Sequence, residues 1–193
     1  MLKEPLFIAV DVHYLDEGVA RAAAVAACEP AFSRVAWTRT AVVPVGAPYV
    51  PGEFYLRELP PLLAVIPAGG GLCLIVVDGY VDLDPDGRPG LGAHVHAEFG
   101  VPVIGVAKTA FRDASHAARV FRGCSSRPLY VTAAGMAVAD AAAVVSEMAG
   151  QFRIPDALKL ADRLARGLEV PAQPPSAPER LLIRRTGRWL SGL

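Results

Sequence analysis

Four residues stand where chemistry can be done. Asp11 ends the apolar run of "PLFIAVDVHY", and Asp78 ends that of "LCLIVVDG". Glu58 lies in "YLRELPP", at the start of a helical pattern, and Lys108 closes "VPVIGVAK". A carboxylate at the end of a strand that reads as buried on both faces is costly unless it is paired, hydrogen-bonded or bound to a metal. Two such strands, each delivering an aspartate, suit a common cation. Mg²⁺ prefers oxygen ligands and keeps much of its water. Two such ions, ~3.5–4 Å apart, activate a water and stabilise a leaving oxygen in phosphodiester hydrolysis. Lys108 is a point cation suited to a phosphate or to developing negative charge. Any one strand-terminal aspartate more often caps a helix or forms a turn, so only the set carries weight.

The hydrophobic pattern outlines the elements that must position this set. "LFIAVDVHY" reads as a first strand. "RAAAVAACE" and "RVAWTRTAVVPV" follow as strands, with Gly18 and Glu29-Pro30 as turn signals, although alanine propensity alone would make the former a helix. After the loop "VGAPYVPGEF" comes "YLRELPPLLAVI", expected as a helix interrupted near Pro60-Pro61. "LCLIVVDG" is the central strand, and "YVDLDPDGRPG" is a turn-rich loop. "LGAHVHAEFG" suits a helix closed by Gly100. "VPVIGVAK" and "RPLYVTAAG" are strands, and "VADAAAVVSEMAG" is a helix. In "DALKLADRLARGL", Leu158, Ala161, Leu164 and Leu168 share one face of an amphipathic helix. Strands in succession, then strands alternating with helices, indicate an α/β domain with a mixed sheet.

Composition bounds the alternatives. At 193 residues, 53% hydrophobic and 20% charged, the chain can bury a sizeable core and is not disordered. No apolar run approaches the roughly 18 residues of a membrane span, and "MLKEPLFIAVD" reads as the first strand and not as a signal peptide. No membrane association is expected, and the expected compartment is the cytoplasm. Nineteen basic and nineteen acidic side chains cancel, which argues against binding by non-specific phosphate attraction alone. Cys28, Cys73 and Cys124 lack metal-ligand spacing, and Cys73 reads as a small core residue. "EVPAQPPSAPE" is a proline-rich linker before the basic tail "RLLIRRTGRWLSGL", so residues 1–169 are expected as the domain and 170–193 as linker and tail.

The order of the motifs adds a resemblance. "VDVHY", "APYVPGEFYLRELP", "LCLIVVDG", "GLGAHVHAEFGVPVIGVAK" and "RPLYVTAAG" together resemble the endonuclease V family, deoxyinosine-specific nucleases with a ribonuclease H-like fold. The correspondence runs from about Leu6 to Ala165, and its most specific parts are "PYVPG" with "RE" five residues on, and "VPVIGVAK". The resemblance implies an α/β fold with a mixed sheet flanked by helices. It also implies Mg²⁺, with Mn²⁺ as a substitute, and hydrolysis slightly 3′ of inosine in DNA or RNA. Asp11, Glu58 and Asp78 fall on the family's metal-binding carboxylates, Asp162 on its late acidic or histidine position, and Lys108 on its strand-end lysine. Pro48, Tyr49, Val50, Pro51 and Gly52 fall on the wedge that enters the gap left by an unstacked base, and His94 falls on a helix position near the nucleic acid.

The sequence departs from the family in the polar surroundings of these carboxylates. Where relatives carry histidines, this chain has Tyr80 after Asp78-Gly79, Asp84 before Pro85, and Met136 after Gly135. Losses of that kind typically reduce activity about 10–100-fold. The second expectation is therefore a weakened or inactive paralogue that binds deaminated or unpaired nucleic acid without cutting. "DLDPDG" opens like an EF-hand loop, but Ala93 stands where a bidentate glutamate is needed, so it reads as a surface turn. His13 reads as structural, while His116 has no evident partner. Lys108, Arg112, Arg119, Arg122 and Arg127 form an internal basic series of candidate phosphate contacts, and Arg180, Arg184, Arg185 and Arg188 form a second in the tail. The oligomeric state is left open.

Overall fold

The first three strands form a meander: β1 (Leu6–Asp16), β2 (Val19–Ala27) and β3 (Val35–Pro44) pair antiparallel in sequence. β4 (Leu72–Asp78) then adds parallel to β1, and β5 (Val103–Ala107) parallel to β4. β6 (Ala118–Val120) and β7 (Leu129–Ala134) complete a mixed seven-stranded sheet in the order β3-β2-β1-β4-β5-β7-β6. This computed structural model describes residues 4–16, 18–45, 55–112 and 114–168. Positions 48–52 and the tail beyond 168 lie outside the described residues, as does the boundary between domain and linker.

Helices cover both faces. α1 (Tyr55–Val65) and α2 (Leu91–Phe99) pack on Ile8, Val10, Ile75 and Val77. α3 (Val138–Glu147) and α4 (Asp156–Ala165) pack on Ala9, Leu74, Val76 and Ile104. Strands buried on both faces need apolar residues at every position, which is why β4 reads as a continuous run. The alanines of β2 are buried throughout, Ala22, Ala24 and Ala26 on the α1 side and Ala27 on the α4 side. Their helix propensity is overridden by a place between two strands and beneath two helices, where a small side chain lets both helices approach.

Four expectations are corrected. The helix is not broken at Pro60-Pro61, which lie inside α1. Each of the two interior prolines costs about 3 kcal/mol, and burial of Leu62, Val65 and Ile66 on the following turn, at about 2 kcal/mol each, is of a size to offset both. Cys73 is exposed. The β1–β4 register slips between Leu6↔Leu72 and Phe7↔Leu74, which skips Cys73, and its thiol turns back to Gly71 O at 3.2 Å. Leu168 lies past the end of α4 and is 52% exposed, so the buried face is Ala157, Leu158, Ala161 and Ala165. Arg122 is buried and therefore not a phosphate contact; its guanidinium donates to the carbonyls of Met148 and Gly150.

Candidate functional site

Register brings the two strand aspartates together. Val10 and Val77 are partners across parallel β1 and β4, so the next residues, Asp11 and Asp78, lie side by side. Asp78 ends β4, but Asp11 does not end its strand as expected, since β1 runs on to Asp16 through its pairing with β2. Adjacent strands lie about 4.8 Å apart. Asp162 enters from α4, next to Ala161, which packs in the same core as Ala9 of β1. Glu58 sits in the first turn of α1. Lys108 directly follows β5, the strand beside β4, and its ammonium is ion-paired and hydrogen-bonded to Asp78.

The electrostatics follow from this crowding. Burial, then the charge of Asp78, pushes the Asp11 carboxyl up to about 7; Asp162 adds to the rise, while Lys108 opposes it. Burial, then the charges of Asp11 and Asp78, pushes Glu58 up to about 8. Burial pulls Lys108 down, but the hydrogen bond and charge of Asp78 outweigh it and hold the ammonium above its usual range. Tyr14, whose ring lies under Arg57 at 4.8 Å, is pushed up to about 12 by burial and by Glu58. Asp11, Glu58, Asp78 and Asp162 thus share one acidic neighbourhood, with Lys108 on Asp78 and Arg166 on Asp162 as cations beside it.

As the side chains stand, no three of them reach ligating geometry for one ion among the described residues. Asp78 is turned to Lys108, and Asp162 accepts a 2.9 Å bond from Arg166. The donor set nonetheless fits a hard cation. It is all carboxylate oxygen, partly withdrawn from water, and the ammonium on Asp78 marks where positive charge is favoured.

Beside Glu58 and Asp78 opens a cleft of about 540 Å³, walled by Tyr55, Tyr80, Leu83 and Phe111. Tyr80 is buried, and its hydroxyl donates to Thr109 O at 2.9 Å and accepts from Phe111 N at 3.1 Å. It therefore braces the segment after Lys108 against the segment after Asp78. Asp84 caps its own turn through Arg88 N at 3.0 Å, and Asp82 O accepts from His116 Nε2 at 2.8 Å. The acidic loop is a self-satisfied turn, and His116 gains the partner that the sequence did not supply. His94 does not line the cleft; it stacks on Tyr55 at 3.5 Å, with the rings 10° apart. His13 lies on β1 opposite Arg21 of β2.

Two features of the site were not read from sequence. Arg153 donates to the carbonyls of Lys108 and Pro128, so it fixes the backbone of the site lysine; the only signal was a basic residue in "FRIPD". Gly105, in "VPVIGVAK", lies under the chain as it leaves Asp78. A Cβ there would stand 2.7 Å from Gly79 O and from Val81 N, and 2.8 Å from Thr132 Oγ1. Thr132 Oγ1 in turn accepts from Val81 N at 2.8 Å. Gly105→Ala should therefore displace residues 79–81 and cost about 1–3 kcal/mol, read as a lower urea midpoint. An unchanged midpoint would refute this close approach.

Known proteins resemble this chain in sequence and in fold. A family model described as Endonuclease V matches residues 3–126. An endonuclease V of Pyrococcus horikoshii is 30% identical over 181 residues, spanning 93% of this chain and 82% of the relative. One from Streptomyces avermitilis is 34% identical over 180 residues, spanning 81% and 77%. The crystal structure of the Streptomyces avermitilis endonuclease V superposes with a TM-score of 0.69 at 31% identity, over 86% of this chain and 85% of that one. An endonuclease V of Ciona intestinalis, crystallised with a 24mer DNA containing an inosine followed by a ribo-adenosine, has the same fold at 18% identity. Its TM-score is 0.66, over 84% of this chain and 85% of that one.

Proposed function

The chain belongs to the endonuclease V family, and from that premise we propose that it is a Mg²⁺-dependent endonuclease that hydrolyses a phosphodiester bond 3′ of inosine, in DNA or RNA, as a repair activity. The observation that carries this reading is the carboxylate group itself. Asp11 and Glu58 are held as weak acids beside Asp78, whose charge is met by Lys108. Such a crowding of carboxyl groups at a cleft has little structural use and suits a cation, which would favour their ionised form.

Asp11, Glu58 and Asp78 would hold the metal, with Asp162 at the margin of the set; Mn²⁺ would substitute. Mg²⁺ bound there would supply a more acidic water and a Lewis acid for the phosphate. With Asp78 engaged by a metal, Lys108 would be free to meet a phosphate oxygen, and Arg153 holds its backbone carbonyl. The cleft is of a size usual for small-ligand sites, and its aromatic walls suit a base taken out of the stack. The Ciona relative's inosine-containing DNA complex supports inosine as the base. His94 would act through Tyr55, stiffening the wall. The wedge residues Pro48, Tyr49, Val50, Pro51 and Gly52 would hold the strand open beside it.

A second reading is binding without cutting. It is favoured by Tyr80, Asp84 and Met136, which stand where the resemblance to the family implies histidines, and by the engagement of Asp78 and Asp162 in ion pairs.

End-labelled DNA and RNA strands with one inosine, incubated with Mg²⁺ or Mn²⁺, separate the two. Cuts just 3′ of inosine establish the enzyme. Inosine-selective binding without cuts establishes the binding protein. Neither cutting nor selective binding would remove inosine as the target.

A further inference from the structure

The end of the sheet that carries Asp78 and Lys108 continues past them to an exposed aromatic pair. Ala107 of β5 is the partner of Tyr130 in β7, and Leu129 of β7 is the partner of Val120 in β6. Lys108, Pro128 and Phe121, the next residue out on each strand, therefore lie at the same end of three neighbouring strands. At about 4.8 Å per strand, Phe121 is roughly 10 Å from the Lys108 backbone. Phe121 is 59% exposed, and Phe152 is 69% exposed.

Two arginines fix this pair relative to the site. Arg122 reaches from beside Phe121 to the carbonyls of Met148 and Gly150, in the loop that bears Phe152. The loops touch: a Cβ on Gly123 would stand 3.2 Å from Phe152 Cα. Arg153, beside Phe152, holds the carbonyl of Lys108. The aromatics are thus carried on a rigid connection to the site lysine, and large exposed apolar side chains so held mark an interaction surface. The surroundings are cationic. Arg119 and Arg127 are exposed, and Lys159, which also pairs with Asp156, stands over the Phe152 ring at 4.7 Å. Basic residues interleaved with exposed rings suit a single strand, whose bases stack without regard to sequence and whose phosphates meet the cations.

We propose that Phe121 and Phe152 form a stacking platform for the single-stranded flank of the nucleic acid, a few nucleotides from the bond to be cut. This rests on the function proposed above and extends it along the sheet end. A folded protein partner would be a less apt occupant, because the patch is narrow and strung between arginines rather than continuous and apolar.

The test measures fluorescence anisotropy of labelled inosine strands of two lengths, roughly five and roughly twenty nucleotides, one near the lower end of single-strand site sizes of about 4–16 nucleotides and one beyond the upper end. The intact protein should favour the long strand. Phe121→Ala and Phe152→Ala should each weaken long-strand binding by about 5- to 100-fold, so that the preference for length collapses in the double variant. Phe152→Trp, which keeps a ring, should retain it. Both positions are exposed, and unchanged melting curves would verify the fold. An unchanged length preference in the double variant overturns the platform. If the intact protein treats inosine and adenosine strands alike, the proposed function falls by itself. The platform is then judged by the same length ratio on adenosine strands, and absent or unaltered binding there overturns it too.

Discussion

Asp78→Asn is expected to lower kcat/KM on an inosine-containing strand by at least about 10²-fold, the scale on which single preorganised electrostatic groups act, while the protein stays folded. The two parts of this expectation have separate causes. Folding relies on Leu74 to Val77, all buried, and not on the carboxylate that follows them. The Asp78 side chain is 23% exposed and its lysine partner 46% exposed, so their ion pair is accessible to solvent and contributes at most about 1 kcal/mol to stability. Asparagine keeps the shape and one oxygen but loses the charge that would bind a divalent ion and draw Lys108 into the site. Circular dichroism and a urea midpoint would check the fold, and single-turnover cleavage the chemistry. Cleavage retained near the original rate would refute the assigned metal site, and a collapsed fold would refute the separation of roles.

What the sequence made legible was set by pattern and register. β1, β4 and β5 announce themselves as apolar runs because both faces are covered, and Asp11 within β1, Asp78 at the end of β4 and Lys108 just past β5 are conspicuous for breaking that pattern. Interactions through the backbone were not legible. Nothing in "FRIPD" says that Arg153 holds the Lys108 carbonyl, and nothing in "RVFRG" says that Arg122 turns inward while Phe121 turns outward. Tyr80 looked like the loss of a histidine. In place it is a brace whose hydroxyl donates to Thr109 O and accepts from Phe111 N. Cys73 was misread because taking a continuous apolar run as buried on both faces assumes an unbroken register, and the slip at Leu6/Phe7 removes it from the ladder. The three residues of β6 are too few for a period to be seen at all.

Metal binding should strengthen steeply with pH, on the order of 10²- to 10³-fold between pH 6 and pH 8, because bound protons must leave first. Asp11 at about 7 and Glu58 at about 8 both lie above their ordinary values of 3.8 and 4.5. In the metal-free protein the folded state therefore binds more protons than the unfolded chain from about pH 4 to pH 8. The sign follows directly: these two groups contribute stability at low pH, which is lost as pH rises through the folded values, with a slope of up to about 3 kcal/mol per pH unit when both differ fully. Mg²⁺ reverses the loss, since it favours the ionised carboxylates that burial and mutual repulsion disfavour. Titration calorimetry with Mg²⁺ or Mn²⁺ in buffers of different ionisation enthalpy would count the protons, with about one to two released per site near pH 6. Asp11→Asn should lower that count and flatten the pH dependence of affinity. A pH-independent affinity with no proton release would mean that the carboxyls are already ionised. The crowding of Asp11, Glu58 and Asp78 would then not be what prepares this site for a cation.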